Sequence, residues 1–325
     1  MKIKNYDSTD FSRRDFISRT LGGGVACAVA GAIILPLSSV SKPVLGQPTF
    51  SVTPLKNNLS IISSSGGNVL VAAHMEQTCV VDGGKKSEAE ALLEVIQGIA
   101  DGPISTLFNS NWRPHHCGLN HLLGPEGASI IAHENTRLWQ NNDFVVDWEE
   151  RHYTPIPKAA QANQTFYKGG SLDLGSETVE YGRISEFHTD GDMYVHFRES
   201  NVLYVGDMMA VGEYPLLDYI TGGWIGGAQK CTAQLLEMCD EETLIVPAAG
   251  PVQGKAALQD QQLMLDHAYE MVANAYRTGR SLDQFMETAP MADYDDVYGN
   301  ADLFTELLYR GTWYHVPGRA IRGII

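Results

Sequence analysis

Between residues 50 and 82, short apolar runs alternate with polar or glycine-bearing turns. Runs of this length and composition predict strands, at residues 50–53, 59–63, 68–73 and 78–82. Residues 86–100 then carry apolar side chains at the spacing of one helix face, and residues 104–108 return to a strand. The first part of the chain therefore predicts a strand meander followed by a helix and one more strand.

The same order of strands, helix and strand returns later in the chain. The pattern predicts strands at residues 127–132, 178–188, 193–197, 201–205 and 243–247, with a helix at residues 227–238. Two such sets favour an α/β fold in which two mixed sheets carry helices on their outer faces. Residues 47–254 are assigned to this domain, although no repeat in the sequence itself accompanies the repeated layout.

Beyond residue 254 the apolar spacing becomes helical. It predicts helices at residues 256–278, 281–286 and 302–310. No long flexible linker precedes these segments, so we expect residues 255–325 to form a helical C-terminal extension packed on the main domain.

The N-terminus has the features of an export signal. Arg13 and Arg14 precede a glycine- and alanine-rich apolar stretch at residues 21–37, which is typical of a twin-arginine signal. A membrane anchor is the weaker interpretation, because the stretch is short and Pro36 interrupts its end. Residues 1–46 are therefore assigned to a twin-arginine export signal, and we expect a periplasmic or otherwise exported protein. Whether the signal is cleaved stays open.

Composition narrows the range of partners. The 325-residue chain has a formal net charge of -16, which argues against nucleic acid and anionic membrane surfaces as partners. A small-molecule substrate or ligand is the expected partner, and a homo-oligomer stays open. The sequence contains no Cys-x-x-Cys motif, so a structural zinc knuckle is excluded.

The candidate chemistry begins in the loop that follows the predicted strand at residues 104–108. This loop contains the adjacent His115 and His116, and neutral imidazoles are good zinc ligands. Later segments supply further donors after or between predicted strands: His188 and Asp190 in His-Thr-Asp-Gly-Asp, and Asp207 in Val-Gly-Asp. Each motif is weak singly, and their order along the chain gives them weight.

Together these motifs resemble the metallo-β-lactamase superfamily over roughly residues 50–255. The resemblance rests on Asn-x-Arg-Pro-His-His-Cys-Gly, His-Thr-Asp-Gly-Asp, Val-Gly-Asp and Val-Pro-Ala-Ala-Gly-Pro. It implies an αββα sandwich with the site along the shared edge of its two sheets. It also implies one or two zinc ions, held in the family by His-x-His-x-Asp-His, a further His, an Asp and a final His.

Matched to that motif, this sequence keeps only part of the ligand set. Asn111 and Arg113 stand where the family has its first two histidines, so His188 is the ligand that remains at the first metal position. His115 stands in place of the family's aspartate, while His116 and Asp207 match. The final histidine is replaced by Ala249. By the same resemblance, Asp82 supports the site loop.

Two hypotheses follow. In the first, His115, His116 and Asp207 bind one zinc or iron ion in a hydrolase of ester, lactone, lactam or thioester bonds. Asp190 or Asp207 then orients the attacking water, and Arg113 or Asn111 holds the oxyanion or a substrate carboxylate.

In the second hypothesis, the protein is a metal-free periplasmic binding module without catalysis. Arg113 fills the volume of the first metal and pairs with Asp207 or Asp82, because a fixed cation stabilises acids that would otherwise repel one another. Metal content separates the two hypotheses.

Overall fold

A computed structural model describes residues 48–74 and 76–315 of the chain. The predicted export signal lies outside the described residues. The first part of the fold is a seven-stranded sheet with the strand order β1-β2-β3-β4-β5-β6-β9. Its strands are β1 (Ser51–Pro54), β2 (Leu59–Ser64), β3 (Gly67–Ala73), β4 (Thr78–Val81), β5 (Ile104–Phe108), β6 (Ser129–His133) and β9 (Gln164–Phe166). Neighbours from β1 to β4 are antiparallel, whereas β4, β5, β6 and β9 are parallel.

The connections of this sheet contain its helices and a small hairpin. The helices are α1 (Ala89–Gln97), α2 (Asn120–Leu123) and α3 (Glu134–Gln140). The hairpin consists of β7 (Phe144–Val146) and β8 (Arg151–Tyr153), which pair antiparallel around the short 3-10 turn Asp147–Glu149. The hairpin and α3 were not predicted from the sequence.

The second part is a five-stranded sheet with sequential strand order, followed by helices. Its strands are β10 (Gly169–Asp173), β11 (Thr178–Gly182), β12 (Tyr194–Phe197), β13 (Val202–Gly206) and β14 (Leu244–Pro247). Only the β13–β14 pair is parallel, because α4 (Ile225–Met238) crosses between these two strands. The chain continues with α5 (Lys255–Arg277), α6 (Leu282–Met286), α7 (Asp295–Tyr298) and α8 (Asp302–Trp313).

Alternation along the strands produces a layered core. On β5, Phe108 packs between the two sheets while its neighbour Leu107 packs under α1. On β13, Tyr204 points into the intersheet layer while Leu203 packs against the C-terminal helices. Both faces of each sheet are therefore covered, and the predicted αββα sandwich of two mixed sheets with C-terminal helices is confirmed.

One predicted strand is wrong at its C-terminal end. Residues 178–188 were expected to be a single strand, but β11 ends at Gly182. The backbone beyond it is drawn into a loop, because the Asp192 carboxylate accepts hydrogen bonds from the backbone N–H groups of His188 and Thr189. Side-chain capture of these N–H groups replaces the strand ladder. Among the described residues, no helix combines the length and apolar character needed to span a membrane.

Candidate metal centre

Strand topology brings the predicted residues to one edge of the sandwich. The parallel neighbours β4 and β5 end side by side, at Val81 and Phe108, so Asp82 and the loop starting at Asn109 leave the sheet together. From the other sheet, β13 ends at Gly206 and is followed by Asp207. The site therefore lies where strand ends of both sheets meet.

The structure brings His115, His116 and Asp207 together. One potential ligand atom from each side chain lies within 4.8 Å of the others. The Nε2 atom of His116 is 2.7 Å from Oδ2 of Asp207, and the Nε2 atom of His115 is 3.9 Å from the same oxygen. Two imidazoles and one carboxylate fit a zinc or iron site with open coordination positions. The side chains of His115 and Asp207 are 26% and 17% exposed, so the group lies at the protein surface, while Nε2 of His115 itself is buried.

Asp82 holds the other side of the His116 ring. Its Oδ2 is 2.7 Å from Nδ1 of His116. The same carboxylate accepts hydrogen bonds from the backbone N–H and hydroxyl of Ser110 and from the hydroxyl of Tyr204. A carboxylate fixed by several donors fixes the orientation of the imidazole it binds, which is how metal-binding histidines are commonly supported.

The two carboxylates control the charge of His116. Burial opposes the charged imidazole, but Asp82 and Asp207 outweigh it and raise the pKa of His116 to about 10. Burial likewise disfavours ionised Asp207, yet the positive charge and hydrogen bond of His116 hold the pKa of this carboxyl well below its usual range. Without an ion, His116 is therefore an imidazolium that donates to both carboxylates.

Arg113 has acidic partners other than those expected from the sequence. Its guanidinium pairs with Glu149 from the β7–β8 hairpin and with Asp218, whose Oδ2 is 3.0 Å from Nη2. The expectation that Arg113 pairs with Asp207 or Asp82 is therefore wrong. Glu149 in the hairpin and Asp218 in the loop after β13 lie closer to Arg113 than the expected partners do. Arg113 is only 4% exposed between them.

His188 lies beside the cluster but its ring nitrogens are engaged elsewhere. Its Nε2 is 3.1 Å from Nε of Arg113, and its Nδ1 is 2.8 Å from the carbonyl oxygen of Leu216. The Nε2 atom is also 4.0 Å from Asp207. As a metal ligand His188 does not fit this geometry, because Arg113 takes the nitrogen that would face an ion.

The remaining ligand positions of the first metal also do not fit. Asn111 uses its Nδ2 to donate to Asp207 at 3.0 Å, and its Oδ1 accepts the backbone N–H of Arg113 at 2.9 Å. Ala249, which stands in place of the family's final histidine, has no side-chain donor atom for either position. The described residues therefore supply no ligand set at the first position, whereas His115, His116 and Asp207 supply one at the second.

Asp190, predicted as a water-orienting group, has a structural partner. Its Oδ1 accepts the indole N–H of Trp139 at 2.8 Å, and it is not one of the three clustered residues. Asp192, two residues later, organises the His188 loop through its bonds to two backbone N–H groups and the Thr189 hydroxyl.

Replacing Asp190 with Asn is expected to leave zinc affinity within about twofold of the wild type. Asparagine keeps an oxygen that can accept the Trp139 N–H, so the expected stability cost is about 1 kcal/mol. Competition with a chromogenic chelator measures the affinity, and urea unfolding measures the stability. A tenfold or larger loss of zinc affinity would show that Asp190 takes part in metal binding.

Sequence reasoning missed Glu149, Asp218 and Asp192. Glu149 and Asp218 lie 36 and 105 residues from Arg113 along the chain. Of these residues, Asp192 could have been found from the sequence, because the His-Thr-Asp-Gly-Asp segment has the composition of a turn capped by a side chain.

Comparison with known proteins agrees with this fold. Residues 64–252 match the metallo-beta-lactamase superfamily. Similar solved structures include a metallo-beta-lactamase from Pontibacter korlensis, with 16% identity and a TM-score of 0.54 over 67% of this chain and 99% of that one. TMB-1 has 17% identity and DIM-1 metallo-beta-lactamase 16%, each with a TM-score of 0.54 over 68% of this chain and 99% of the other. No curated protein sequence matches the chain.

The fold and the family match assign the chain to a family of metal-dependent hydrolases. The family match extends over more than half of the sequence and includes every element that forms the site. The chain belongs to the metallo-β-lactamase superfamily.

Proposed function

We propose that this protein is an exported hydrolase that uses one metal ion, held by His115, His116 and Asp207, to cleave an ester, lactone, lactam or thioester bond. The observation that carries the proposal is the convergence of these three side chains, two from the loop after β5 and one from the end of β13, within 4.8 Å. A small-molecule substrate follows from the family and from the solvent access of His115 and Asp207.

The ion would supply Lewis acidity toward a carbonyl oxygen and would lower the pKa of water. The protein's own groups orient and bind. Asp82 fixes the His116 ring, and Asn111 fixes Oδ2 of Asp207 through a hydrogen bond of 3.0 Å. Because its pKa lies well below the usual range, Asp207 stays ionised at neutral pH and acts as ligand and hydrogen-bond acceptor, not as general base.

Arg113 is unsuited to the oxyanion role considered from the sequence. Its donors already reach His188, Glu149, Tyr153 and Asp218, and its side chain is 5% exposed. A donor committed to buried carboxylates cannot turn toward a developing oxyanion without leaving those charges unpaired.

Metal content tests the proposal directly. We expect about one zinc per chain in protein purified without chelator and dialysed against zinc, and none in His115→Ala, because two ligands cannot compete with water for the ion. His152→Ala is the matched control, since His152 also lies beside a carboxylate, that of Asp143, but outside the cluster. Elemental analysis gives the ratio.

Hydrolysis is then assayed on a panel of one chromogenic ester, one lactone, one β-lactam and one thioester. At least one is expected to be cleaved by the wild type and at least about 100-fold more slowly by His115→Ala. Wild type that binds no zinc after refolding in excess zinc, and that cleaves no member of the panel, would contradict the proposal.

One observation favours the alternative, a metal-free binding module. His116 as an imidazolium between Asp82 and Asp207 is charge-compensated without an ion, since each ring nitrogen is 2.7 Å from a carboxylate oxygen. The same zinc measurement decides between the two.

Export through the twin-arginine pathway completes the proposal. The test is a fusion of residues 1–46 to a reporter that is active only after export. The same fusion with Arg13 and Arg14 replaced by lysine is the control.

A further inference from the structure

The guanidinium of Arg113 lies against His188, one of the residues that match the family's first metal position. Its Nε lies 3.1 Å from His188, the ligand that the family uses there and that this sequence retains. Its Nη2 lies 3.0 Å from Asp218, and its Nη1 bonds Glu149 and, at 3.2 Å, the Tyr153 hydroxyl. These contacts fix the guanidinium in one orientation.

The hydrogen-bond directions determine which His188 nitrogen is occupied. The Leu216 carbonyl oxygen can only accept, so Nδ1 of His188 carries the proton and donates to it at 2.8 Å. Nε2 then has a lone pair, and the Nε–H of Arg113 donates to it. The lone pair with which His188 could bind an ion is therefore already used.

One cation connects four separate segments of the chain. Arg113 follows β5, Glu149 and Tyr153 belong to the β7–β8 hairpin, His188 precedes β12, and Asp218 follows β13. Aromatic rings enclose the guanidinium, with Trp112 at 4.6 Å and Trp148 at 5.3 Å from its central carbon to the ring centroids. A metal ion also connects distant segments by satisfying several donors at once.

Local charge supports the same interpretation. Asp218 is fully buried and Glu149 nearly so, and both are acidic residues that the guanidinium compensates. A neutral residue at position 113 would leave these carboxylates buried without a counter-charge, which is costly. Arginine is suited to this position because its planar guanidinium group donates hydrogen bonds in several fixed directions at once.

We infer that Arg113 is a built-in substitute for the first metal ion: it cross-links the segments that an ion would join and, by occupying His188, keeps this position free of metal. Arg113 is thus a positioning residue, which acts through His188 and the hairpin. The inference concerns the first position alone and does not depend on whether His115, His116 and Asp207 bind an ion.

The test restores the family's first two histidines. We expect Asn111→His/Arg113→His to bind one more zinc per chain than the wild type, through the two new histidines and His188. Zinc should also raise the melting temperature of this variant by about 5 °C more than that of the wild type, because binding to the folded state alone stabilises it. Elemental analysis and thermal unfolding, with zinc and with chelator, give both values.

The chain offers a matched control. Asn111→His alone adds one of the two histidines but leaves Arg113 in place on His188. This control should gain no zinc beyond the wild type. Adding His115→Ala to the wild type and to the restored variant separates the two sites. No zinc in His115→Ala and one zinc in the restored variant carrying His115→Ala support both proposals. Equal zinc in these two proteins overturns the inference about Arg113.

A measurement on unaltered protein covers the case in which the restored variant does not fold. In ¹⁵N-histidine spectra assigned with His188→Gln, the Nε2 resonance of His188 should stay unchanged when zinc is added to saturation. Movement of this resonance to the shift of a metal-bound nitrogen would overturn the inference, as would two zinc ions per wild-type chain.

Discussion

Replacing Asp218 with Asn is expected to lower the free energy of unfolding by about 3–5 kcal/mol, because it removes one of the two charges that compensate buried Arg113. Asp218 accepts hydrogen bonds from Nη2 of Arg113 at 3.0 Å, from the Trp148 indole at 2.9 Å and from the Thr221 hydroxyl at 2.6 Å. Asparagine keeps the shape but has one acceptor oxygen where the carboxylate has two. Urea unfolding followed by tryptophan fluorescence measures the change.

Glu306→Gln is the control for removing an acid from an arginine pair. Glu306 binds Arg310 along α8 with both side chains well exposed, so its loss is expected to cost less than about 1 kcal/mol. Equal effects of the two substitutions would mean that the Arg113 pair contributes no more than a surface ion pair. A large effect of Asp218→Asn alone would establish that the first metal position is stabilised by charge compensation within the protein.

Hydrophobic periodicity predicted many of the strands and helices and an α/β class, whereas the αββα sandwich was what the family resemblance implied. The predicted strand at residues 104–108 coincides with β5, and the helix predicted at residues 256–278 corresponds to α5 within one residue at each end. These elements are buried on a regular face, so their periods of two and 3.6 appear in the sequence. The β7–β8 hairpin is short and only partly buried, and it leaves no such period.

The candidate site was predictable only as far as its residues are close in sequence or match the family's motif. His115 and His116 are adjacent, and Asp207 directly follows a buried strand, so their grouping could be predicted. The partners of Arg113 could not be predicted, because acids are common on this chain and nothing local distinguishes Glu149 or Asp218 from surface acids. Long-range pairing of this kind is determined by the packing of loops.

Glycines around the start of α4 show how closely this helix approaches the His188 loop. In the structure a side chain at Gly223 would collide with the carbonyl of His188, and one at Gly227 with the carbonyl of Glu186. These glycines therefore allow α4 to approach the His188 loop closely, and they help to place the histidine that Arg113 binds.

Zinc affinity is expected to rise about tenfold per pH unit between pH 6.5 and 8.5, about 100-fold in all, through His116 alone. The carboxylates of Asp82 and Asp207 raise the pKa of His116 to about 10 against the effect of burial, so the metal-free protein holds a proton on this ring throughout that range. Zinc must displace that proton, and the competition weakens as pH rises. Titration with a competing chelator at several pH values measures the slope, and calorimetry in buffers of different ionisation enthalpy should record about one proton released per zinc.

Asp82→Asn tests the cause of this pH dependence. It removes one of the two carboxylates that favour the His116 imidazolium, so the pKa of His116 should fall and the affinity should level off at a lower pH than in the wild type. The Asp143→Asn substitution, beside His152 and outside the cluster, should leave the slope unchanged. An affinity that does not vary between pH 7 and 8.5 in the wild type would mean that zinc does not use the Nε2 atom of His116. The ion would then have to bind without the best-supported imidazole of the site.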